Sequence, residues 1–339
     1  MHITFVILTS ALSYFCYNIL VYQDRSSEKA SLIAYNCFSI FLAFFLLTVS
    51  GCTKKETPKK VSLYKRSGDV SKKKEGPSPN TVWFGFDLRL GPKEEVQIYT
   101  PFLKYLEDAT GKRFRIKFTE KYEDTVKNLG SGATHFAALG TLSYVIGADK
   151  YGIRHLVSGV NKEGDPRYHS IIFTRSDSDI ENIKDLKGKC FAFGSRMSTQ
   201  GHLIPRKMME KAGVALEDMS KHIYTGSPLN VVKAVLNREC DAGGVQDVLA
   251  NRLASEGQIK IIEISDPYPS SLIAYNGSLD DKTVEAVKSA LLAFEPIGKH
   301  KEMLVDWDKT EMPLGFTVLD ALELKKVTDL AREYGMLTE

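Results

Sequence analysis

Residues 167–214 read RYHSIIFTRSDSDIENIKDLKGKCFAFGSRMSTQGHLIPRKMMEKAGV. "YHSIIFTR" and "KCFAFGS" are apolar runs of strand length, and "HLIPRKMMEKAG" has the spacing of a helix ending at a glycine. Ser198 and Thr199 stand where a strand hands over to that helix. The first N–H groups of a helix lack internal partners and carry the positive end of its dipole. Hydroxyls and amides gathered there make a site for an anion. The same side chains also make an ordinary N-cap, satisfying the helix's own N–H groups, which is the simpler reading. These residues alone leave both open.

Working outward, the pattern is α/β from Thr81 onward. "TVWFGFDL" reads as a strand and "EVQIYTPFLKYLEDATG" as an amphipathic helix with a Gly stop. "RFRIKFT" alternates like a strand, "YEDTVKNLGSG" is a short helix, and "THFAALG" a buried strand. After the opening stretch come "HIYTG", "LNVVKAVLNREC", "DAGGVQD", "IKIIEIS" and "SLIAYNG", then two C-terminal helices in "DKTVEAVKSALLAFEP" and "LDALELKKVTDLAREYGM". Strands alternating with helices imply mostly parallel sheets with helices on both faces. About 260 residues would stretch a single core, so two domains are expected. There is no internal repeat of solenoid length.

Charge separates a tail from the folded part. Residues 53–79 hold nine Lys/Arg against three Asp/Glu, whereas residues 80–339 carry a net charge of −3. The basic balance of the whole chain therefore belongs to the tail. No basic patch stands out elsewhere, which argues against nucleic acid as a partner. Beside a membrane, such a tail would be drawn to anionic headgroups, or it is a solvated spacer.

Residues 31–52, SLIAYNCFSIFLAFFLLTVSGC, are apolar and uncharged, follow Arg25 and Lys29, and end in Val49-Ser50-Gly51-Cys52. Small residues before a cysteine after an apolar core resemble the bacterial lipoprotein signal. That implies diacylglycerol on the Cys52 sulfur and cleavage between Gly51 and Cys52. A plain transmembrane helix of about 20 residues is the alternative. The Pro- and Lys-rich stretch after Cys52 favours a tether. Residues 2–22 are a second apolar run, either an extra span or the product of an upstream start codon. The expected division is 1–51 targeting region, 52–79 lipidated Cys and linker, and 80–339 the fold.

The blocks of the folded part resemble a known family. "YEDTVKNLGSGATHFAALGTLSYV" is similar to a segment of bacterial solute-binding proteins that reads Tyr, helix, Gly, strand, Gly-x-x-x-Tyr. The 167–214 stretch, with its Asp-Leu-Lys-Gly-Lys turn, strand, Ser-Thr loop and helix, resembles the phosphate/phosphite/phosphonate-binding receptors of ABC importers. "GSPLNVVKAVLNRECDAGGVQD" resembles that family's next block. The likeness runs from about Thr81 to Ala293, and its specificity lies in the order of the blocks.

The resemblance implies a type II periplasmic-binding-protein fold: two α/β lobes, a hinge of two crossing strands, and a ligand cleft between the lobes. Lobe one would take residues 80–168 and 270–339, lobe two 169–269, with crossings near Arg167–Ile172 and Asp266–Ala274. Closure over a ligand is then a hinge motion. Ser198 and Thr199 match the loop that holds the ligand's anionic head. Gln200 stands where a small hydroxyl residue is common, and its amide can donate. Tyr122 and Tyr168 match ligand-contacting tyrosines. Asp247 matches an acid that receives a cationic end, and Tyr144 lies near the cleft or in the packing. Each tyrosine alone reads as a half-buried core residue. The chain departs from the pattern at Gly226-Ser227-Pro228-Leu229, where a histidine commonly follows; Pro228 cannot donate a hydrogen bond. That puts a phosphonate in question and leaves an anion.

In the family's lobe-two sheet the strands entered by Cys190 and Cys240 are parallel neighbours. Strands about 4.8 Å apart can bring two cysteines within bridging range. A one-residue stagger would instead point them apart, as two buried thiols.

The implied partners are a small anionic solute, ABC permease and ATPase subunits, and a membrane reached through the lipid anchor, with the fold facing the periplasm or cell exterior. No cofactor and no metal are implied. The rival reading, an enzyme, finds no His-x-x-x-His, Cys-x-x-Cys or Gly-x-Ser-x-Gly spacing, although distant residues can still build a site. A ligand-sensing ectodomain on the same fold is a further alternative and would need a separate signalling chain.

Overall fold

The computed structural model describes residues 80–338. The expected targeting region, residues 1–51, together with Cys52 and the Lys-rich stretch, lies outside the described residues. Among the described residues no helix is long and apolar enough to cross a membrane.

Lobe one begins with β1 (Thr81–Phe86), α1 (Pro92–Thr110), β2 (Arg113–Ile116), α2 (Tyr122–Gly130), β3 (Phe136–Gly140), α3 (Thr141–Tyr151) and β4 (Arg154–Gly159). Lobe two holds β5 (Arg167–Arg175), β6 (Cys190–Phe193), a π-helical turn (Thr199–Leu203) running into α4 (Ile204–Lys211), β7 (Lys221–Tyr224), α5 (Pro228–Leu236), β8 (Ala242–Gln246), α6 (Asp247–Ser255) and β9 (Ile259–Pro269). The chain then returns to lobe one with β10 (Ser271–Tyr275), α7 (Asp281–Leu292), β11 (Phe316–Thr317) and α8 (Ala321–Glu333).

The six-stranded sheet has the order β11-β4-β10-β3-β1-β2 and the five-stranded sheet β7-β6-β8-β5-β9. β1 runs parallel to β2 and β3, and β6 to β7 and β8, as βα connections require. The sheets are nevertheless mixed. β10 is antiparallel to both β3 and β4, and β5 to both β8 and β9. The reason is the crossing: strands that arrive from the other lobe enter a sheet without a helical crossover and are free to run backwards.

α1 shows how the sequence makes these layers. Pro92 opens it, where a missing N–H costs nothing, and Gly111 closes it in the left-handed conformation at φ 67°. Its apolar face puts Phe102 against Phe294 and Trp307, at ring separations of 5.2 and 4.8 Å. Full burial of a side chain such as Phe102 stabilises by about 1.5–3 kcal/mol.

Lobe two is tied by a disulfide between Cys190 and Cys240, with Cα atoms 4.7 Å apart. Phe191 is in register with Ala242, so the entries to β6 and β8 lie side by side. Of the two arrangements open to these cysteines, the structure takes the bridge.

Candidate functional site

The Ser-Thr loop is shaped by its neighbours. Pro205 has no N–H for the Gly201 carbonyl, which instead accepts the Gly194 amide at 2.8 Å. The Gln200 carbonyl is taken by the Ser170 hydroxyl at 2.7 Å. With those α-helical partners engaged or missing, Leu203 and Ile204 donate five residues back, to Ser198 and Thr199, and the first turn widens into a π-turn. Gly244 of β8 lets Pro205 sit on the sheet, since a Cβ there would lie 2.6 Å from Pro205 Cγ. His202 accepts no charge in this setting. Burial pushes its imidazole down to about 4, and its Nδ1 meets the Arg196 carbonyl at 2.7 Å, pinning the loop from behind.

Both hydroxyls act as caps, on different helices. Ser198 Oγ accepts the Gly201 N–H at 2.9 Å, capping its own helix. Thr199 Oγ1 accepts the Leu142 N–H at 2.9 Å, capping α3 across the cleft. Each hydroxyl keeps its own O–H to donate. Capping and anion binding are therefore compatible uses of the same two residues.

The cleft between the lobes is lined by the starts of five helices. Tyr122 is the first residue of α2, Gly140 the N-cap of α3, Ser198 the cap of the π-turn, Pro228 the first residue of α5, and Gln246 the N-cap of α6. These ends lie at or just past the carboxyl ends of strands, where open α/β sheets place ligands. Each helix brings about half a positive charge. Arg89, from the loop after β1, adds a full one. Burial works against that charge, but the Glu311 carboxylate beside it more than offsets the cost, so the guanidinium stays protonated. Glu95 fixes the loop by accepting the Arg89 and Leu90 N–H groups, both at 2.9 Å.

Glu311 faces Arg89. Its Oε2 lies 3.0 Å from Arg89 Nη1 and accepts the Ser270 hydroxyl at 2.5 Å. Gln246 Nε2 donates to the same Ser270 oxygen at 2.8 Å, which links lobe two to the pair. The cavity left at this point is about 30 Å³, room for a water molecule or two.

Of the residues singled out in the sequence, Tyr122, Ser198, Thr199 and Gln200 line this cavity together. Burial pushes the Tyr122 phenol far up, so it stays a neutral donor. Tyr168 lies one layer behind, its hydroxyl donating to the Glu311 carbonyl at 2.8 Å. Asp247 does not line the cavity. Its two oxygens accept the His169 and Val248 N–H groups, at 2.9 and 2.8 Å, while burial raises its carboxyl. Tyr144 lies outside too, packed edge to face on His155 at 5.9 Å. Sequence reading missed Arg89, Gln246, Ser270 and Glu311. Arg89, Gln246 and Ser270 follow or end strands, a position that could have flagged them; Glu311 sits in an irregular turn without a signal. Two larger grooves, of about 310 and 550 Å³, lie around Lys207, Lys211, Asp266 and Tyr268 and include none of the singled-out residues. Among the described residues no group of three or more His, Cys, Asp or Glu could hold a metal ion.

Comparison with known proteins agrees with this architecture. The chain is 28% identical over 207 residues to the phosphate-import protein PhnD of Mycolicibacterium smegmatis, covering 56% of this chain and 64% of that one. It is 23% identical over 216 residues to the phosphonates-binding periplasmic protein of Escherichia coli, covering 61% and 64%. The match thus spans just under two thirds of the length of these curated relatives. Among solved structures, PhnD1 of Prochlorococcus marinus in complex with methylphosphonate superposes with a TM-score of 0.69 at 17% identity, over 77% of this chain and all of that one. The binding-protein component of a phosphonate ABC transporter from Pseudomonas aeruginosa superposes with a TM-score of 0.66 at 21% identity, over 74% and 85%. At these identities the superpositions establish a shared two-lobe fold. Residues 84–320 match the family described as "ABC transporter, phosphonate, periplasmic substrate-binding protein". With most of the folded chain inside that match, the protein belongs to this family of periplasmic substrate-binding proteins, which are solute receptors and not enzymes.

Proposed function

We propose that the protein is the extracytoplasmic substrate-binding lipoprotein of an ABC importer and captures a small oxyanion-bearing solute, phosphonate- or phosphate-like, in its cleft. The observation that carries this reading is the convergence of five helix starts and Arg89 on one cavity between two lobes. Helix N-termini favour anions, and a hydroxyl–amide lining supplies donors without a fixed negative charge apart from Glu311. The relatives' names support a phosphorus oxyanion over other anions.

In this reading lobe one comprises residues 80–168 with 270–339 and lobe two 169–269. Tyr122, Ser198, Thr199 and Gln200 donate to the ligand, and Tyr168 and Asp247 hold the walls. Cys52 carries the lipid, the fold faces the periplasm or cell exterior, and permease and ATPase subunits take the solute onward. Calorimetry on the full chain in detergent micelles tests it. Saturable one-to-one uptake of methylphosphonate or inorganic phosphate, with the solute recovered unchanged, is expected. Heat of mixing without saturation for every oxyanion tried, or conversion of the solute, sinks the reading.

A further inference from the structure

Arg89 and Glu311 are the only oppositely charged pair on the cavity wall, and they neutralise each other. One oxygen of Glu311 is ion-paired with the Arg89 guanidinium at 3.0 Å and accepts the Ser270 hydroxyl O–H at 2.5 Å. Those are the donors a phosphate oxygen would take. Across the cavity Pro228 offers no N–H, so Arg89 is the strongest donor on the wall.

We infer that Glu311 is a built-in competitor for the ligand: its carboxylate occupies Arg89 until a tetrahedral oxyanion able to carry two negative charges displaces it. The inference rests on the cleft being the anion site proposed above.

Three features make the exchange mechanical. The backbone at Glu311 and at the next residue is held, by the Tyr168 hydroxyl on the Glu311 carbonyl at 2.8 Å and by the Trp307 indole N–H on the Met312 carbonyl at 2.8 Å. Only the side chain can leave, and at 15% exposure it has a route to solvent. The cavity of about 30 Å³ is too small for a phosphonate, so withdrawal of the carboxylate provides space as well as donors. Charge then decides the class of ligand. A singly charged anion merely replaces the single negative charge of the carboxylate by another, whereas a dianion adds a second charge facing the helix starts and Arg89. Arg89 is not stranded by the exchange, because its Nη1 also donates to Ser271 Oγ at 2.9 Å.

The test is calorimetry at pH 8 on the full chain in micelles, with methylphosphonate (mainly dianionic) and its monoanionic isostere methanesulfonate as probes. Glu311→Gln keeps an acceptor for Ser270 and Arg89 but removes the charge. It should bind methylphosphonate at least tenfold more tightly than the wild type, and Arg89→Gln at least tenfold more weakly. The double variant should bind no better than Arg89→Gln alone. The wild type should prefer methylphosphonate to methanesulfonate by at least tenfold. If Glu311→Gln binds with wild-type affinity while Ser198→Ala weakens binding, the pair is only a structural bridge and the inference fails with the cleft reading intact. Equal binding of the two probes removes the two-charge requirement. If neither the wild type nor Glu311→Gln takes up a probe, the cleft reading itself falls. Arg89→Gln failing to fold leaves the decision with Glu311→Gln.

Discussion

The Thr199 hydroxyl of lobe two accepts the Leu142 amide of lobe one at 2.9 Å, so the loop expected to hold an anion also caps a helix on the opposite lobe. Thr199→Val keeps the shape and removes the acceptor. The buried Leu142 N–H is then unpaired, at about 1–3 kcal/mol. Denaturant unfolding should show that loss together with at least a tenfold drop in methylphosphonate affinity. Loss of affinity with unchanged stability would mean that the interlobe cap contributes nothing.

Asp87 gives a pH signature. One carboxyl oxygen accepts the Gly140 N–H at 3.0 Å and the other has no protein partner. Burial raises its pKa from 3.8 to about 7, against the pull of Arg89. Folding therefore favours the protonated form. The contribution is full below pH 3.8, falls as pH rises toward 7, and is constant above. Asp87→Asn mimics the protonated acid. Its stability advantage over the wild type should widen by about 2–3 kcal/mol between pH 5 and pH 8, at roughly 1.4 kcal/mol per pH unit where it titrates. Parallel stability profiles for the two proteins would show that Asp87 is ionised when folded.

The Cys190–Cys240 bridge closes a 50-residue separation. Chain entropy puts its worth at about 4 kcal/mol at most. Thiol counting on the denatured, unreduced full chain should find this pair unavailable. Reduction should lower the midpoint of unfolding while leaving the order of ligand preference unchanged.

Gly244→Ala should strain lobe two, because its Cβ would meet Pro205 Cγ at 2.6 Å between a sheet and a helix. Overpacking of this kind costs about 1–3 kcal/mol. As Pro205 follows the π-turn, affinity should drop with stability. A variant as stable as the wild type would mean that the turn yields without cost.

Cys52→Ala should leave an uncleaved precursor that takes up no labelled fatty acid. Acyl chains anchor at about 0.8 kcal/mol per buried CH₂. Cleavage and labelling that persist in the variant would assign the anchor elsewhere.

What could be read in the sequence was what local pattern encodes. "CFAF" and "FAALG" are strands because every residue is apolar, and α1 begins and ends at Pro92 and Gly111. α3 escaped notice because "TLSYVIGADKY" is apolar on most sides and shows no clear stripe. α6 has no local mark beyond Asp247, whose carboxylate receives two backbone N–H groups at the start of the helix. The Arg89–Glu311 pair had no local trace at all: one residue follows the first strand and the other precedes the last, and only the completed lobe brings them to 3.0 Å. The π-turn is equally invisible, since it depends on the Ser170 hydroxyl of β5 taking the Gln200 carbonyl.

The place of β10 sets an order of assembly. β3 and β4 do not pair with each other; Leu272 and Ile273 lie between them. All the strands of lobe two, by contrast, come from one uninterrupted run that ends at Pro269. As the chain emerges N-terminus first, lobe one therefore waits with a gap in the middle of its sheet until residues 271–275 arrive, while lobe two already has every strand it needs. A ribosome or translocon that stalls near residue 270 would leave a closed lobe two joined to a lobe one whose β3 has an open edge and whose β4 has no partner strand, the kind of surface that invites pairing with another chain. The half of the molecule made first is the half finished last, and its protection during export falls to whatever covers those edges in the interval.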